Sequence, residues 1–230
     1  MATMKRFPVG DAEARGYLAV PEGGSGPGVL MLHAWWGLNR FTKRLCDQLA
    51  FEGFTVFAPD VYRGNVARSV EQAKYLRSQL DREVVHATLT SALAFLRAQS
   101  ALATPRVGLF GLSLGAAYAL RLSVTRPTDI AAVVAFYGTS GGKFDKSEAA
   151  YLGHFAEHDP FESATAVAGL EKRLRDAGRP VDIFTYPGTG HWFFEDDQPG
   201  AYNAAAAQRA WARSIRFLRK HLTRKSRPAK

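Results

Sequence analysis

The chain has one cysteine, Cys46, among its 230 residues. A single cysteine cannot form an internal disulfide, so the fold must depend on a hydrophobic core, and such cysteine usage is typical of a reducing compartment. No apolar run approaches the roughly 18 residues that a membrane-spanning helix needs. The first residues, MATMKRFPVGDAEARG, lack the apolar segment of a signal peptide. We therefore predict a cytoplasmic globular protein with no membrane partner.

Acidic residues are missing from the C-terminal part of the chain. Residues 198–230 contain nine lysines or arginines and no aspartate or glutamate, whereas the remainder carries 21 residues of each sign. The whole formal net charge of +9 therefore comes from residues 198–230. Apolar residues recur there at helical spacing, from Trp211 to Leu222, which predicts a docked amphipathic helix with a solvated basic face. We predict a frayed basic tail at residues 223–230 and no nucleic-acid partner; attraction of this segment to a polyanion or a membrane surface is the alternative.

Apolar runs alternate with helix-length segments along residues 1–222. This order predicts one α/β domain with a mostly parallel central sheet of about seven or eight strands and helices on both faces. Ligands bind such sheets beyond the carboxyl ends of the strands. The segment GGSGPG, residues 23–28, is interpreted as a hairpin turn. The predicted strands are residues 16–21, 28–34, 55–60, 106–111, 130–138, 149–156 and 181–188, and the predicted helices are residues 40–53, 113–124, 161–178, 199–222 and helical structure within 67–99.

The stretch RVGLFGLSLGAAYAL, residues 106–120, contains the spacing G-x-S-x-G at Gly111, Ser113 and Gly115. This spacing between a predicted strand and a predicted helix is typical of the nucleophile turn of α/β-hydrolases. The turn is cramped, so a side chain at either flanking position would collide with backbone. Ser113 is therefore a candidate nucleophile. The alternative is that Ser113 merely caps the following helix, with glycines that allow close packing.

A serine nucleophile needs a base and a group that orients the base. His191 lies in YPGTGHWFFED, directly after the last predicted strand, and Asp159 follows the strand before it. The order Ser113, Asp159, His191 is the order in which α/β-hydrolases carry their triad. Asp159 has a competing interpretation as the N-cap of the helix that begins near residue 161, and Glu157 is the reserve acid.

The segment HFAEH, residues 154–158, matches a zinc-binding pattern that requires a helix. Here it follows an apolar strand and precedes Asp159 and Pro160, where helical geometry is disfavoured, so we predict no metal site. Serine hydrolysis needs no cofactor, and none is predicted. Among the other histidines, His33 is a candidate to line the pocket, and we expect His86 and His221 to be surface or packing residues on helices.

Backbone N–H groups must stabilise the oxyanion of an acyl-transfer reaction. The residue after the nucleophile, Leu114, can supply one donor, and the loop after an earlier strand can supply the second through Trp35 or Ala34. The aromatic residues beside the two proposed catalytic loops predict an apolar acyl pocket, with core packing as the alternative for each. These aromatic residues are Trp35, Trp36, Trp192, Phe193 and Phe194.

The chain resembles the dienelactone hydrolase family of α/β-hydrolases over about residues 12–220. The resemblance is carried by PGVLMLHAWWGLN, GFTVFAPDVYRG, VGLFGLSLGAAYAL, VVAFYG, HFAEHDPF and YPGTGHWFF, in family order. It implies an α/β-hydrolase fold, Ser113 as nucleophile, Asp159 as acid and His191 as base. It also implies that the backbone N–H groups of Trp35 and Leu114 form the oxyanion hole.

Three positions depart from the family pattern. Ser113 stands where the family usually has cysteine, and Ala34 replaces a glutamate that interacts with that cysteine. These two changes agree, because a serine activated by histidine needs no carboxylate to manage a thiol proton. Glu195 stands where an arginine helps to hold the substrate carboxylate. We therefore expect the substrate pocket to include Trp36, Trp192, Phe193, Glu195 and Ala34, and the substrate to be a neutral ester or lactone.

The sequence thus predicts a serine hydrolase that cleaves a small-molecule carboxylic ester or lactone through an acyl-Ser113 intermediate. Thioester or small-acyl amide hydrolysis by the same triad is one alternative. A hydrolase fold that binds a small molecule without catalysis is another. We expect a monomer or a small homo-oligomer.

Overall fold

The computed structural model describes residues 2–222. The predicted tail at residues 223–230 lies outside the described residues. Within residues 2–222, eight strands and six helices follow one another. The strands are β1 (Ala2–Val9), β2 (Ala12–Ala19), β3 (Gly28–Leu32), β4 (Thr55–Pro59), β5 (Val107–Leu112), β6 (Ile130–Phe136), β7 (Ala150–His158) and β8 (Val181–Gly190), and the helices are α1 (Arg40–Phe51), α2 (Val70–Ser78), α3 (Arg82–Arg97), α4 (Leu114–Thr125), α5 (Ala164–Asp176) and α6 (Ala204–Leu222).

All eight strands form one sheet in the order β1-β2-β4-β3-β5-β6-β7-β8. Strands β3 to β8 pair with one another in parallel. Strand β2 pairs antiparallel with both β1 and β4. The prediction of a mostly parallel α/β sheet is confirmed. The carboxyl ends of β3, β5, β7 and β8 consequently lie along the same edge of the sheet.

Helices cover both faces of the sheet and produce two hydrophobic clusters. Within β3, Val29 and Met31 belong to the cluster that includes α1 and α6, whereas Leu30 and Leu32 belong to the cluster that includes α3, α4 and α5. Successive side chains of a strand point to opposite faces, so a strand covered on both sides must be apolar throughout. This explains why β3 is a continuous apolar run with every residue buried.

The N-terminal part of the sheet differs from the prediction. Strand β1 was not predicted, because in ATMKRFPV only Phe7 is buried and the remaining residues give no apolar pattern. β1 lies at the edge of the sheet, where charged residues discourage pairing with another chain. The interpretation of residues 23–28 as a hairpin turn is wrong, because β4 lies between β2 and β3 in the sheet. The β1 and β2 hairpin turns instead at Gly10, whose φ is 57°.

Helix α6 confirms the predicted amphipathic helix, although it begins at Ala204, later than expected. Ile215, Leu218 and Leu222 are buried, and Trp211 packs against the same cluster. The guanidinium of Arg213 lies 3.8 Å from the ring centroid of Phe184, so part of the basic face packs against the domain. Among the described residues, no helix combines the length and the apolarity that crossing a membrane would require.

Candidate active site

Ser113 occupies a strained turn between β5 and α4. Its φ is 50°, a left-handed value that is unusual for a residue with a side chain. A Cβ atom at Gly115 would lie 2.0 Å from the carbonyl oxygen of Leu32, and one at Gly111 would lie 2.5 Å from that of Gly115. The predicted need for small flanking residues is therefore met. The Ser113 hydroxyl makes no capping hydrogen bond to α4, which contradicts the interpretation of this residue as a simple helix cap.

A chain of hydrogen bonds joins the three polar residues that were predicted to act together. Ser113 Oγ lies 2.9 Å from His191 Nε2, and His191 Nδ1 lies 2.7 Å from Asp159 Oδ2. The side chains of His191 and Asp159 are almost fully buried, with 3 % and 2 % exposure. Asp159 can thus orient the imidazole, and the imidazole can accept the hydroxyl proton of the half-buried Ser113.

The two carboxylate oxygens of Asp159 have separate partners. Oδ2 faces His191, while Oδ1 accepts hydrogen bonds from the backbone N–H groups of Phe161 and Glu162, at 2.8 and 3.1 Å. Asp159 is not the cap of α5, because Ser163 accepts from Ala166 N at that position. The backbone bonds fix the carboxylate so that its other oxygen meets the histidine.

Glu157, the reserve acid, is placed differently. It is exposed, and its carboxylate accepts a 2.8 Å hydrogen bond from Gly188 N. It therefore takes no part in the hydrogen-bond chain of Ser113 and His191.

The two predicted oxyanion donors lie beside Ser113. Trp35 follows β3, Leu114 begins α4, and both line the same cavity as Ser113 and His191. Within residues 2–222, neither the Trp35 N–H nor the Leu114 N–H donates to a protein acceptor. Two backbone donors are thus free beside the serine, as an oxyanion would require.

The cavity above Ser113 has a volume of about 570 Å³. Of the predicted pocket residues, only Trp35 lines it together with Ser113, Leu114 and His191. Trp36 and Trp192 lie behind Trp35, with ring centroids 5.6 and 6.0 Å from its own. The prediction that Trp36, Trp192, Phe193, Glu195 and Ala34 line the pocket therefore needs correction, since none of these five residues is on the cavity wall.

Four of these five residues, Ala34, Trp36, Phe193 and Glu195, are buried. Phe193 is fully buried and packs against Tyr137 and Tyr186. Glu195 is 1 % exposed, and the Tyr137 hydroxyl donates a 2.8 Å hydrogen bond to its carboxyl. Burial raises the pKa of Glu195 to about 8 and outweighs the opposing effect of that hydrogen bond. The expected repulsion of an anionic substrate by Glu195 is therefore wrong, because this carboxyl is protonated near neutral pH and does not reach the cavity.

The remaining histidines occupy three different environments. HFAEH lies in strand β7, as expected, and both ring nitrogens of the buried His154 have partners, Tyr186 Oη at 2.8 Å and Ser214 Oγ at 3.0 Å. Among the described residues, no cluster of three or more side chains of metal-binding type is present. His33 is buried and does not line the cavity, which differs from the prediction. His86 is exposed on α3, as expected of a surface residue, and it also borders the cavity.

Four residues of the cavity wall, Phe161, Arg77, Arg82 and Arg121, were not predicted from the sequence. Phe161 covers the catalytic end, with its ring centroid 4.9 Å from that of His191. Arg77, Arg82 and Arg121 also line the cavity. Arg121 could have been found from the sequence. It lies seven positions after Leu114, which is about two helical turns, so both side chains are on the same face of α4. No comparable signal identified Arg77 or Arg82, which come from other helices.

The dienelactone hydrolase family model matches residues 14–222. The chain belongs to the dienelactone hydrolase family. The resemblance expected from the motifs is thereby confirmed, and this family places the protein among the ester and lactone hydrolases of the α/β-hydrolase fold.

Three relatives of this dienelactone hydrolase family member each match at least 90 % of its length. Protein usf of Aquifex pyrophilus is 31 % identical, over 97 % of this chain and 100 % of its own. A protein of Aquifex aeolicus that is provisionally named a carboxymethylenebutenolidase is 28 % identical, over 96 % and 100 %. A Bradyrhizobium protein named as a probable 2-oxo-3-(5-oxofuran-2-ylidene)propanoate lactonase is 28 % identical, over 90 % and 89 %.

Solved structures agree on the fold. A dienelactone hydrolase-like promiscuous phosphotriesterase from metagenomic libraries superposes with a TM-score of 0.87, over 96 % of this chain and 98 % of that chain, at 21 % sequence identity. At this identity the likeness supports the architecture alone.

Proposed function

We propose that the protein hydrolyses a carboxylic ester or lactone by means of a catalytic triad formed by Ser113, His191 and Asp159. The observation that carries this proposal is the hydrogen-bond chain of 2.9 and 2.7 Å that joins the three residues at the carboxyl edge of the sheet, where Ser113 and His191 open onto a cavity of about 570 Å³. Ligands of open parallel sheets bind at this edge.

The reaction begins when His191 Nε2 accepts the proton of the Ser113 hydroxyl. Ser113 Oγ then forms a bond to the ester carbonyl carbon, and the carbonyl π electrons move onto the oxygen. When the tetrahedral intermediate collapses, the bond to the alkoxide breaks and His191 donates the proton to this leaving group. Water then repeats the sequence on the acyl-serine and releases the carboxylic acid, so that one water is consumed for each ester cleaved.

Asp159 and the two backbone donors make this sequence efficient. The Asp159 carboxylate holds the His191 Nδ1–H and stabilises the imidazolium that forms. The N–H groups of Trp35 and Leu114 face the developing oxyanion, where a single donor is worth about 3 kcal/mol in the transition state. Trp35 lies three residues after the end of the buried strand β3, and Leu114 lies two residues after the end of the buried strand β5. Donors that are already in place require little reorganisation when charge develops.

The names of two relatives support this class of substrate. One is provisionally called a carboxymethylenebutenolidase and the other a probable lactonase. Cyclic and open-chain esters share the same carbonyl chemistry, so one triad can act on both. Comparison of oxyesters, thioesters and amides of the same acyl group would define the bond that this site prefers.

Covalent labelling tests the proposal directly. We expect a fluorophosphonate to label the protein with a stoichiometry of one and to abolish hydrolysis of p-nitrophenyl acetate. Ser113→Ala should lose both the label and the activity. The control Ser78→Ala, which removes an exposed hydroxyl of α2, should keep both. A protein that hydrolyses the ester but is not labelled at Ser113 would overturn the assignment of the nucleophile.

A further inference from the structure

Three arginines from three different helices line the cavity. Arg77 comes from the last turn of α2, Arg82 begins α3 and Arg121 lies on α4, and all three line the cavity. Their charges meet at Tyr118, another residue of the wall: burial raises the pKa of this phenol, and Arg121, Arg77 and Arg82 each act to lower it. The three guanidinium groups thus share one region although they belong to three helices.

This positive charge has little compensation on the cavity wall. Within residues 2–222, none of the three guanidinium groups lies within 4.0 Å of a carboxylate oxygen. In this part of the chain Glu162 is the one acidic residue on the wall, and it accepts a 2.7 Å hydrogen bond from Thr139 Oγ1. Arg121 Nε donates to Ser140 Oγ at 3.3 Å, which leaves its terminal nitrogens available.

Helix α4 fixes the backbone distance between Ser113 and Arg121. Leu114, Ala117, Tyr118 and Arg121 line the cavity from one face of this helix, which begins directly after Ser113. With a rise of 1.5 Å per residue, the backbone positions of Ser113 and Arg121 are about 12 Å apart. The Arg121 side chain can span part of this distance, and an arm of the substrate must span the rest for an anion at Arg121 to be joined to the carbonyl carbon that Ser113 attacks.

We infer that Arg77, Arg82 and Arg121 form an anion subsite of this cavity, and that the substrate is an ester whose acyl or alcohol arm is long enough to place a terminal carboxylate or phosphate at Arg121 while its carbonyl lies at Ser113. This inference rests on the proposed ester hydrolysis at Ser113. Guanidinium groups suit such a subsite because they remain charged and bind carboxylate or phosphate through paired hydrogen bonds.

The distance separates this substrate class from compact anionic lactones. We expect a carboxylate attached close to a small lactone ring to bind Arg121 less well than a carboxylate on a longer arm when the carbonyl contacts Ser113 Oγ. The expectation of a neutral substrate also changes, because it depended on a charged Glu195 in the pocket, and Glu195 is buried elsewhere. The subsite thus selects for charge and for length together.

A series of p-nitrophenyl esters tests this selection on the acyl side. The acyl arm runs from succinyl to dodecanedioyl with a free terminal carboxylate, and each member is paired with the corresponding terminal methyl ester. We expect the ratio of kcat/KM for the anionic to the neutral member to rise with chain length and to exceed one only for the longer arms. Acetate esters of ω-hydroxy carboxylic acids and of ω-hydroxyalkyl phosphates apply the same test to the alcohol side.

Arginine variants identify the subsite. Arg77→Gln and Arg121→Gln should each lower the anionic-to-neutral ratio for the long substrates about tenfold, since a hydrogen bond to a charged group contributes roughly that factor. Arg216→Gln, which removes an exposed arginine of α6 outside the cavity, should leave the ratio unchanged. A ratio near one at every length in both series, or equal ratios in all three variants, overturns the inference.

A binding measurement separates failure of the subsite from failure of the proposed reaction. Calorimetric titration of Ser113→Ala with sebacate monoamide needs no catalysis. We expect binding to Ser113→Ala and its loss when Arg121→Gln is added. Loss of esterase activity with retained, arginine-dependent binding would disprove the reaction and leave the subsite in place, whereas absence of binding together with unselective hydrolysis would disprove the subsite alone.

Discussion

The Tyr137 hydroxyl donates a 2.8 Å hydrogen bond to the buried carboxyl of Glu195, directly behind the proposed catalytic histidine. The Tyr137 ring also lies 4.8 Å from the His191 ring, measured between centroids. Glu195 turns inward because its N–H bonds to the carbonyl of Trp192, which closes a turn after His191. The pair therefore supports the histidine loop from inside the protein, and neither residue lines the cavity.

This pair predicts a pH-dependent stability. Glu195 ionises near 4.5 in the unfolded chain and near 8 in the folded protein. Between these values the folded state retains a proton that the unfolded state has released, so its stabilising effect is complete below pH 4.5 and is lost as the pH rises towards 8. The free energy of unfolding should fall by at most about 1.4 kcal/mol per pH unit from this group.

Urea unfolding of wild type and Glu195→Gln across this pH range measures the effect. The glutamine keeps an acceptor for Tyr137 but does not titrate, so the difference in stability between the two proteins should shift in favour of the variant as the pH rises. Parallel curves for the two proteins would contradict the raised pKa of Glu195.

The contact between Gly115 and Leu32 predicts a second effect on stability. A Cβ atom at Gly115 would lie 2.0 Å from a backbone oxygen that cannot move away without displacing β3. We expect Gly115→Ala to destabilise the protein by about 3 kcal/mol and to displace the Ser113 turn. The measurement is urea unfolding together with fluorophosphonate labelling of Ser113.

Gly169→Ala provides the matched control for this substitution. Gly169 lies inside α5, and its added Cβ would approach only the flexible end of Arg173. Alanine favours a helix interior over glycine, so this variant should gain up to about 1 kcal/mol. If both alanine variants were equally stable, the close packing of the serine turn would not be the reason for its glycine.

The fold could be predicted where burial leaves a pattern in the sequence. Strands β3 and β5 are apolar throughout because both faces are covered, and the residues that follow them were correctly placed at one edge of the sheet. Strand β1 has a single buried residue, Phe7, and therefore left no pattern. The wrong hairpin at residues 23–28 has another cause, since the order of strands in a sheet depends on contacts distant in sequence.

The candidate site could also be predicted only in part from the sequence. Ser113 and His191 could be predicted because each directly follows a strand, and a strand end fixes the position of the next residues. Glu195 was misplaced because its distance from His191 in sequence does not reveal that the intervening turn directs it inward. The arginine subsite escaped prediction because α2, α3 and α4 meet only in the folded protein.

Asp159 is predicted to be essential for turnover. In Asp159→Asn the remaining oxygen can still accept the backbone N–H groups of Phe161 and Glu162, so the local fold should persist. The amide would favour the wrong tautomer of His191, and kcat should fall on the order of 10⁴-fold. The measurement is the rate of ester hydrolysis by the purified variant. Its circular dichroism spectrum should match that of wild type.

Glu157→Gln is the control for Asp159→Asn. The Glu157 side chain is exposed and bonded to Gly188, so activity should remain near that of wild type. The acid would be misassigned if Asp159→Asn stayed active and Glu157→Gln did not.

Phe161 is predicted to contribute to substrate binding at the catalytic end of the cavity. Its side chain is 48 % exposed, and its ring centroid lies 4.9 Å from that of His191 and 5.4 Å from that of Trp35. Phe161→Ala should raise KM for apolar acyl groups by about tenfold, the equivalent of a partly buried aromatic contact. Because the ring is half-exposed, the free energy of unfolding should change little.

Phe51→Ala is the control. It removes a ring that is 91 % exposed and lies on α1, outside this cavity, so the KM of this variant should equal that of wild type. An unchanged KM in Phe161→Ala across acetyl, butyryl and benzoyl esters would show that the acyl group binds elsewhere on the cavity wall.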